Sequence, residues 1–488
     1  MTVRAHLPIL PLLLTLTGAL LVPIVALVSR RAVGVVAPGA AIAAALAALA
    51  GVAEVAGGGV LRYAVGGWAA PWGIELVLDP LSAFTSAAIA GVAAVSLAAA
   101  GPGARAAFEG TTPRFYALAL VVVTGLLGIT ISGDLFNVFV FLEIAAIASY
   151  ALVASGAPPS LAAGFRYLML GTVGASFYLL GVGLLYALTG TLNMADLADR
   201  VPALSASPLF AGGVTFIVVG LAIKVALFPL HGWLPDAYTH APPPVAALLA
   251  AVATKAPAYA LARTLLYVLR PDELPVTTVL AWAGGAGVVV GGLFALRQTD
   301  ARRLLAYSSV SQMGYIVLGL GLANSAALTG AYLHVLNHAL MKSSLFMALG
   351  ALLLSARGPS LAALAQLAPR PLIGTCMVVA ALSMVGVPPA GGFFSKWYLL
   401  QGAIEAGQPV LVAAILLGSL LAAVYMYRLT EAVWLTPADA GGVPRPREAP
   451  AVVVAALLVL AVATLGVGLA NEVIVQRLVA PAAAAAAR

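Results

Sequence analysis

FIVVGLAIKVALFPLHGWLPDAYTH, residues 216–240, is the stretch on which the reading of this chain turns. It begins as a membrane-spanning helix, yet it carries Lys224 at mid-depth and is interrupted at Pro229. Proline removes a helix hydrogen bond and leaves carbonyls free near the membrane centre. The arrangement returns in GVPPAGGFFSKW, residues 386–397, where Pro388 and Pro389 precede Lys396. Breaks at corresponding places in two halves point to inverted repeats around a midplane pathway. Pro229 and Pro388 are 159 residues apart, and the pairs Asp134…Tyr150 and Asp300…Tyr315 begin 166 apart.

All four lysines, Lys224, Lys255, Lys342 and Lys396, lie in otherwise apolar stretches, whereas the arginines mostly flank such stretches. Arginine keeps its proton under nearly all conditions, while a desolvated lysine can lose it. Ionisable groups inside a membrane are costly and are functional by default.

Composition sets the class. Of 488 residues, 62% are hydrophobic and 8% charged, against roughly 25% charged in soluble domains. The chain therefore reads as an all-α polytopic membrane protein. Its net charge of +7 is no nucleic-acid footprint, because the arginines are scattered through short connections. The basic surface suits the cytoplasmic face of the bilayer. Cys376 is the sole cysteine, so there is no internal disulfide framework. Residues 7–28 are apolar, but Arg30 and Arg31 follow them and only Arg4 precedes. That order is the reverse of a signal peptide's, and the first helix is expected to be retained.

With about 20 residues per crossing, fourteen spans are expected: 6–28, 32–53, 79–100, 114–132, 134–155, 161–190, 207–229, 241–269, 275–296, 301–322, 326–355, 371–403, 408–434 and 450–470. Residues 54–78 read as an external loop with interfacial Trp68 and Trp72. Arg30/Arg31, Arg105/Arg114, Arg297/Arg302/Arg303, Arg357/Arg370 and Arg428/Arg445/Arg447 follow spans 1, 3, 9, 11 and 13. The positive-inside rule makes those connections cytoplasmic and puts both termini outside. The expected organisation is 1–113 for spans 1–3, 114–270 for a first five-helix repeat (spans 4–8), and 271–434 for a second (spans 9–13). An odd number of helices per unit makes the copies inverted, with spans 7 and 12 broken. Residues 435–488 hold span 14 and a low-complexity tail, PAAAAAAR, to which no function is assigned.

Glu143 falls near mid-span 5, where an unpaired carboxylate would be protonated, so Lys224 at similar depth is its expected partner. A static pair that locks packing is the alternative. Lys255 and Lys342 lie mid-span with no acid at their depth in the same helix. His334, His338 and Lys342 are spaced i, i+4, i+8 and share one helix face, a stripe suited to passing protons. Two histidines at i, i+4 could instead share a zinc, or bond neighbouring helices. Lys396 reads as a terminal relay group, or as a snorkelling lysine. His231 and Asp236 serve either as interfacial hydrogen-bonders or in proton entry. Arg166 reads as a cytoplasmic-side anchor and Asp79 as a helix N-cap.

GDLFNVFVFLEIAAIASYAL, LLYALTGTLNMADLA, RRLLAYSSVSQMGYIVLG, HVLNHALMKSSLFMALG and VGVPPAGGFFSKW, with the stretch around Lys224 and Lys255, resemble the antiporter-like membrane subunits of Mrp cation/proton antiporters, respiratory complex I and membrane-bound hydrogenases. The resemblance covers spans 4 to 12. It implies fourteen helices with inverted five-helix repeats and broken helices 7 and 12. It also implies that Glu143 and Lys224 are the pair whose separation modulates proton affinity, and that Lys255, His334, His338, Lys342 and Lys396 form a hydrophilic axis. GDLFNVFVFLE, GTLNMADLA and the chain length look most like the D-type subunit of the Mrp antiporter. Gln312 departs from the histidine many relatives carry in SVSxMGY, and Pro257 and prolines 242–244 replace commoner glycine or serine. PLHGWLPDAYTHAP is closer to hydrogenase and complex I relatives.

The expected function is therefore that of a proton-translocating subunit of a multi-subunit Na+/H+ antiporter in the cell membrane, an ion-transport component rather than an enzyme. The alternative is the same machinery in a complex I-like NADH:quinone oxidoreductase or a membrane-bound hydrogenase. A non-conducting scaffold and a self-contained solute transporter rank below both. One cysteine and no nucleotide loop leave no cofactor or metal expected on this chain. Its expected partners are other membrane subunits, protons, a monovalent cation and the bilayer, not nucleic acid.

Overall fold

Short polar residues set where the apolar helices begin. Asp79 accepts from the backbone N–H of Ser82, and Ser82 Oγ accepts from that of Asp79, a reciprocal capping box. Asp134, Asp300 and Asn324 accept from backbone N–H groups two or three residues on. The N-cap reading of Asp79 is borne out.

The structure is a computed structural model describing residues 3–56, 58–356, 358–365, 370–435 and 449–486. Arg357, Arg445 and Arg447 of the arginine pattern, and the last two residues of the tail, lie outside these. The helices are α1 Leu10–Val28, α2 Arg30–Val55, α3 Pro80–Ala99, α4 Thr112–Ile131, α5 Leu135–Ala154 and α6 Pro158–Thr189. Then come α7 (Pro208–Val225, resuming as Trp233–His240), α8 Pro243–Leu269, α9 Val276–Leu296, α10 Ala301–Leu322 and α11 Ser325–Leu353. Last are α12 (Pro371–Val385, resuming as Gly391–Glu405), α13 Pro409–Thr430 and α14 Ala451–Leu469. Among the described residues thirteen are long and apolar enough to cross a membrane, and Pro371–Val385 of α12 is a shorter apolar helix.

α8 is entirely buried, with α10 and α11 nearly so, while α1, α13 and α14 turn aliphatic side chains outward. The charged residues of the interior therefore sit on the three most enclosed helices or on helices packed against them. Residues 61–64 and 75–78 form a two-stranded antiparallel hairpin, β1 and β2, where the sequence suggests a loop. Arg62 on β1 pairs with Glu75 on β2 at 2.9 Å, and Trp68 and Trp72 are exposed at its tip. The tail is a helix, Ala480–Ala486, whose Ala482 carbonyl accepts from the Tyr267 hydroxyl at 2.7 Å. Its run of small residues lets it seat closely, so it contributes packing.

The two breaks share a backbone design. In α7 the helix ends at Val225, Ala226 turns to φ +60°, and Leu227 N–H donates to the Ala222 carbonyl. In α12 it ends at Val385, Gly386 turns to φ +96°, and Val387 N–H donates to the Leu382 carbonyl. Each is a left-handed C-terminal cap with a six-to-one hydrogen bond, and the two lie 160 residues apart.

Glycines let paired helices touch through their backbones. A Cβ on Gly220 of α7 would stand 2.5 Å from the Gly174 carbonyl of α6, and one on Gly314 of α10 would stand 2.6 Å from the Val288 nitrogen of α9. Gly314→Val should therefore destabilise the protein by about 1–3 kcal/mol, the usual cost of overpacking. Gly183→Val, at a position with nothing within 4 Å, should leave it unchanged, as thermal unfolding in detergent will read out.

Candidate functional site

Lys224 occupies the last turn before the α7 break, and Glu143 faces it from α5. The Lys224 ammonium lies 3.0 Å from Glu143 Oε1 and donates to the Tyr150 hydroxyl at 3.3 Å. The lysine side chain is 6% exposed and the glutamate 24%, so the cation is enclosed while the carboxylate keeps partial access. The Tyr150 ring meets Tyr167 edge-on at 4.6 Å, and Tyr167 stacks on Trp233 at 4.1 Å. Trp233 Nε1 donates to the Ile223 carbonyl at 2.8 Å. One aromatic column thus ties the ion pair to the break. Tyr167 and Trp233 are not evident from the sequence, because their spacing shows no periodic link to Lys224.

The interior axis is built on α8, α10, α11 and α12. Lys255, His334, His338 and Lys342 are all 0% exposed, and among the described residues none pairs with a carboxylate. The α8 backbone loosens at Ala253–Thr254, where Pro257 cannot supply an N–H. There the Lys255 ammonium donates to the Ala250 carbonyl at 2.6 Å. Lys342 donates to the Leu305 carbonyl at 2.9 Å and to Ser308 Oγ at 2.5 Å. His334 bridges three helices, with Nδ1 2.8 Å from Ser395 Oγ and Nε2 3.0 Å from Gln312 Oε1. Gln312, a departure by sequence, is therefore a direct partner of the stripe.

His338 stacks on His334 with ring centroids 6.2 Å apart, and neither of its ring nitrogens has a protein hydrogen-bond partner. Lys255, Lys342 and His334 lie within electrostatic reach of it. Buried polar groups are almost always hydrogen-bonded to protein or ordered water, so this position suits a hydrated link. Among the described residues no three His, Cys, Asp or Glu side chains gather as a metal site.

Lys396 completes the series. It donates to the carbonyls of Met384 at 2.7 Å and Val385 at 3.1 Å, and to Ser419 Oγ at 3.2 Å. It also stands 4.6 Å above the Tyr315 ring, whose other neighbour is the His334 ring at 5.6 Å. No hydrogen bond joins Lys224 to Lys255, which have separate partners. At the surface, Asp236 pairs with Arg166 at 2.5 Å and Arg303 at 3.3 Å. Arg166 is thus tied to the second half of α7.

The structure adds a second polar stripe. Lys255, Tyr259, Arg263 and Tyr267 recur every fourth residue of α8. Arg263 donates to the Tyr259 hydroxyl at 3.0 Å and pairs with Asp79 at 2.6 Å, beside a cavity of about 190 Å³. Its one signal in the sequence is the i+8 spacing of Arg263 from Lys255.

Residues 132–422 match the family described as NADH:quinone oxidoreductase/Mrp antiporter, TM. The chain is 46% identical to NADH-quinone oxidoreductase subunit N of Desulforudis audaxviator, covering 97% of this chain and 98% of the relative. It is 32% identical to the D subunit of the Na(+)/H(+) antiporter of Alkalihalophilus pseudofirmus over 76% of this chain and 75% of the relative. Among solved structures it resembles a chain of the Mrp complex from Dietzia sp. DQ12-45-1b, with a TM-score of 0.88, 29% identity, and coverage of 100% of this chain and 97% of that one.

Trp233→Phe keeps an aromatic ring on Tyr167 but removes one of the two donors to the buried Ile223 carbonyl, the Ala226 N–H remaining at 3.0 Å. Thermal unfolding should register a loss of about 0.5–1.5 kcal/mol, the net worth of one hydrogen bond. Trp397→Phe, at a side chain 47% exposed, should be neutral.

Proposed function

This chain belongs to the NADH:quinone oxidoreductase/Mrp antiporter transmembrane family, and from that premise we propose that it carries protons across the membrane along Glu143, Lys224, Lys255, His338, Lys342, His334 and Lys396. It is an antiporter-like membrane subunit, an ion-transport component whose relatives sit in multi-subunit membrane complexes. The observation that carries the proposal is the uneven pairing of the lysines. Lys224 alone forms an ion pair among the described residues, whereas Lys255, Lys342 and Lys396 rest on carbonyls and hydroxyls.

When Glu143 swings away or is neutralised, Lys224 loses its counter-charge and releases its proton inward. Lys255 receives it through bridging water and passes it to the His338 position, where Lys342 and His334 are neighbours. The route ends at Lys396, reached past Ser395 and Tyr315. Each acceptor is held by neutral dipoles, so protonating one discourages protonating the next and the charge moves on. The chain resides in the cell membrane with its arginine-rich connections in the cytoplasm and both termini outside. The division into repeats at 114–270 and 271–434 belongs to the same proposal, supported by the matched breaks.

The host complex is a cation/proton antiporter, the exchanged ion being Na+. A second reading, a redox-driven host, is favoured by the near full-length 46% identity to a protein named as a quinone oxidoreductase subunit. The complex isolated through a tag on this chain and placed in liposomes will separate them. Na+-dependent proton movement without a redox substrate supports the first, and proton movement that requires electron transfer to quinone supports the second. In either host, Glu143→Gln and Lys224→Ala should assemble normally. Both should lower ΔpH-linked transport on the order of 100-fold, as when a positioned proton-transfer group is removed. Normal transport by both variants would refute the relay.

A further inference from the structure

The arginine-rich face of the molecule joins free positive charge to an apolar cavity, away from the relay. Arg30 and Arg31 at the start of α2, and Arg105 on the short helix Gly101–Ala107 between α3 and α4, line a cavity of about 390 Å³ with Thr112 and Tyr116. Seven other arginines, Arg4, Arg62, Arg166, Arg200, Arg263, Arg302 and Arg303, pair with carboxylates. Among the described residues, Arg30, Arg31 and Arg105 form no such pair. Glu109, the acid of that connection, does not line the cavity.

A second cavity, of about 260 Å³, lies against the other side of the same short helix. It is lined almost wholly by apolar groups, among them Ala106, Pro243, Ala247, Phe346 and Leu354. Pro102 lines both cavities, and the consecutive residues Val452 and Val453 line one each. The spaces therefore adjoin, with charge at one end and hydrocarbon-like walls at the other.

We propose that the two cavities form one binding site for a diacyl anionic phospholipid. The phosphate lies among Arg30, Arg31 and Arg105, and one acyl chain passes Pro102 into the apolar cavity. Guanidinium groups match phosphate oxygens in geometry and are weakly hydrated, and basic pockets between transmembrane helices are suited to anionic head groups. Inorganic phosphate would leave the apolar cavity unused, and a zwitterionic lipid would leave the arginines uncompensated. The site also touches the relay's scaffold. Ala247 lies two turns before Lys255 on α8, and Phe346 one turn beyond Lys342 on α11.

The test is native mass spectrometry of the delipidated complex, titrated separately with a palmitoyl-oleoyl phosphatidylglycerol, the matching phosphatidylcholine, and sodium phosphate. Phosphatidylglycerol should bind the wild type in preference to phosphatidylcholine. The triple variant Arg30→Gln, Arg31→Gln, Arg105→Gln should lose roughly tenfold or more of that affinity, since each basic group near the head group contributes severalfold. Ala106→Trp, which narrows the apolar cavity while keeping the charges, should weaken binding as well. Thermal unfolding confirms that both variants are folded, and comparison with wild type isolates this site from others in the complex. Equal binding of the two lipids, or wild-type affinity in the triple variant, would overturn the proposal. So would phosphate competing as effectively as the lipid while Ala106→Trp has no effect, for that would mark a simple anion site.

Discussion

Among the described residues the four enclosed ammonium groups have one carboxylate partner between them, and this imbalance shapes the rest of the interior. Each cation at mid-membrane costs roughly 3 kcal/mol or more unless it is compensated. Lys224 takes the carboxylate of Glu143. The other three find neutral oxygen. Lys342 shares the Leu305 carbonyl and Ser308 Oγ on the unbroken helix α10, while broken and loosened helices supply the other two. Lys396 binds the carbonyls of Met384 and Val385 at the α12 break, and Lys255 binds Ala250 where α8 loosens before Pro257. The prolines that disrupt these helices are part of how Lys255 and Lys396 are solvated.

The two breaks show how one backbone design serves two chemistries. Both end in a left-handed residue and close with the same six-to-one hydrogen bond. At the α7 break the Ile223 carbonyl receives a tryptophan N–H, which leaves Lys224 free to engage an acid. At the α12 break the carbonyls receive the lysine itself. One end of the proposed series therefore rests on a carboxylate and the other on fixed dipoles. Fixed dipoles hold a cation without trapping it as firmly as a buried carboxylate would.

The spans are legible in the sequence because length and apolarity alone define a crossing helix. The breaks are legible because proline stands with glycine nearby at 229–232 and 386–392, whereas the lone Pro23 and Pro38 are carried inside α1 and α2. The Glu143–Lys224 pair is legible for a simple reason: a mid-depth acid must have a base, and Lys224 lies at the same depth. What escapes the sequence depends on contacts between residues distant in the chain. Asp79 reads as a cap, and it is one, but its pairing with Arg263 spans 184 residues and has no local sign. The hairpin at 61–78 lies in a glycine-rich segment whose register comes from packing rather than from pattern. The alanine tail reads as low complexity, yet its small side chains let Ala482 reach Tyr267. Gln312 stands out as a departure from relatives, and only the structure makes it a partner of His334.

The proposed relay depends on the polarity of the Glu143–Lys224 pair, and a charge swap tests it most directly. A variant carrying Glu143→Lys together with Lys224→Glu keeps an ion pair at the same place and should assemble. Proton transport by the swapped complex in liposomes is the measurement. If the pair works by poising a lysine to release its proton into the series, the swapped complex will be stable and inactive. Transport restored to the wild-type rate would mean that the pair is only a lock between α5 and α7, and would contradict the mechanism.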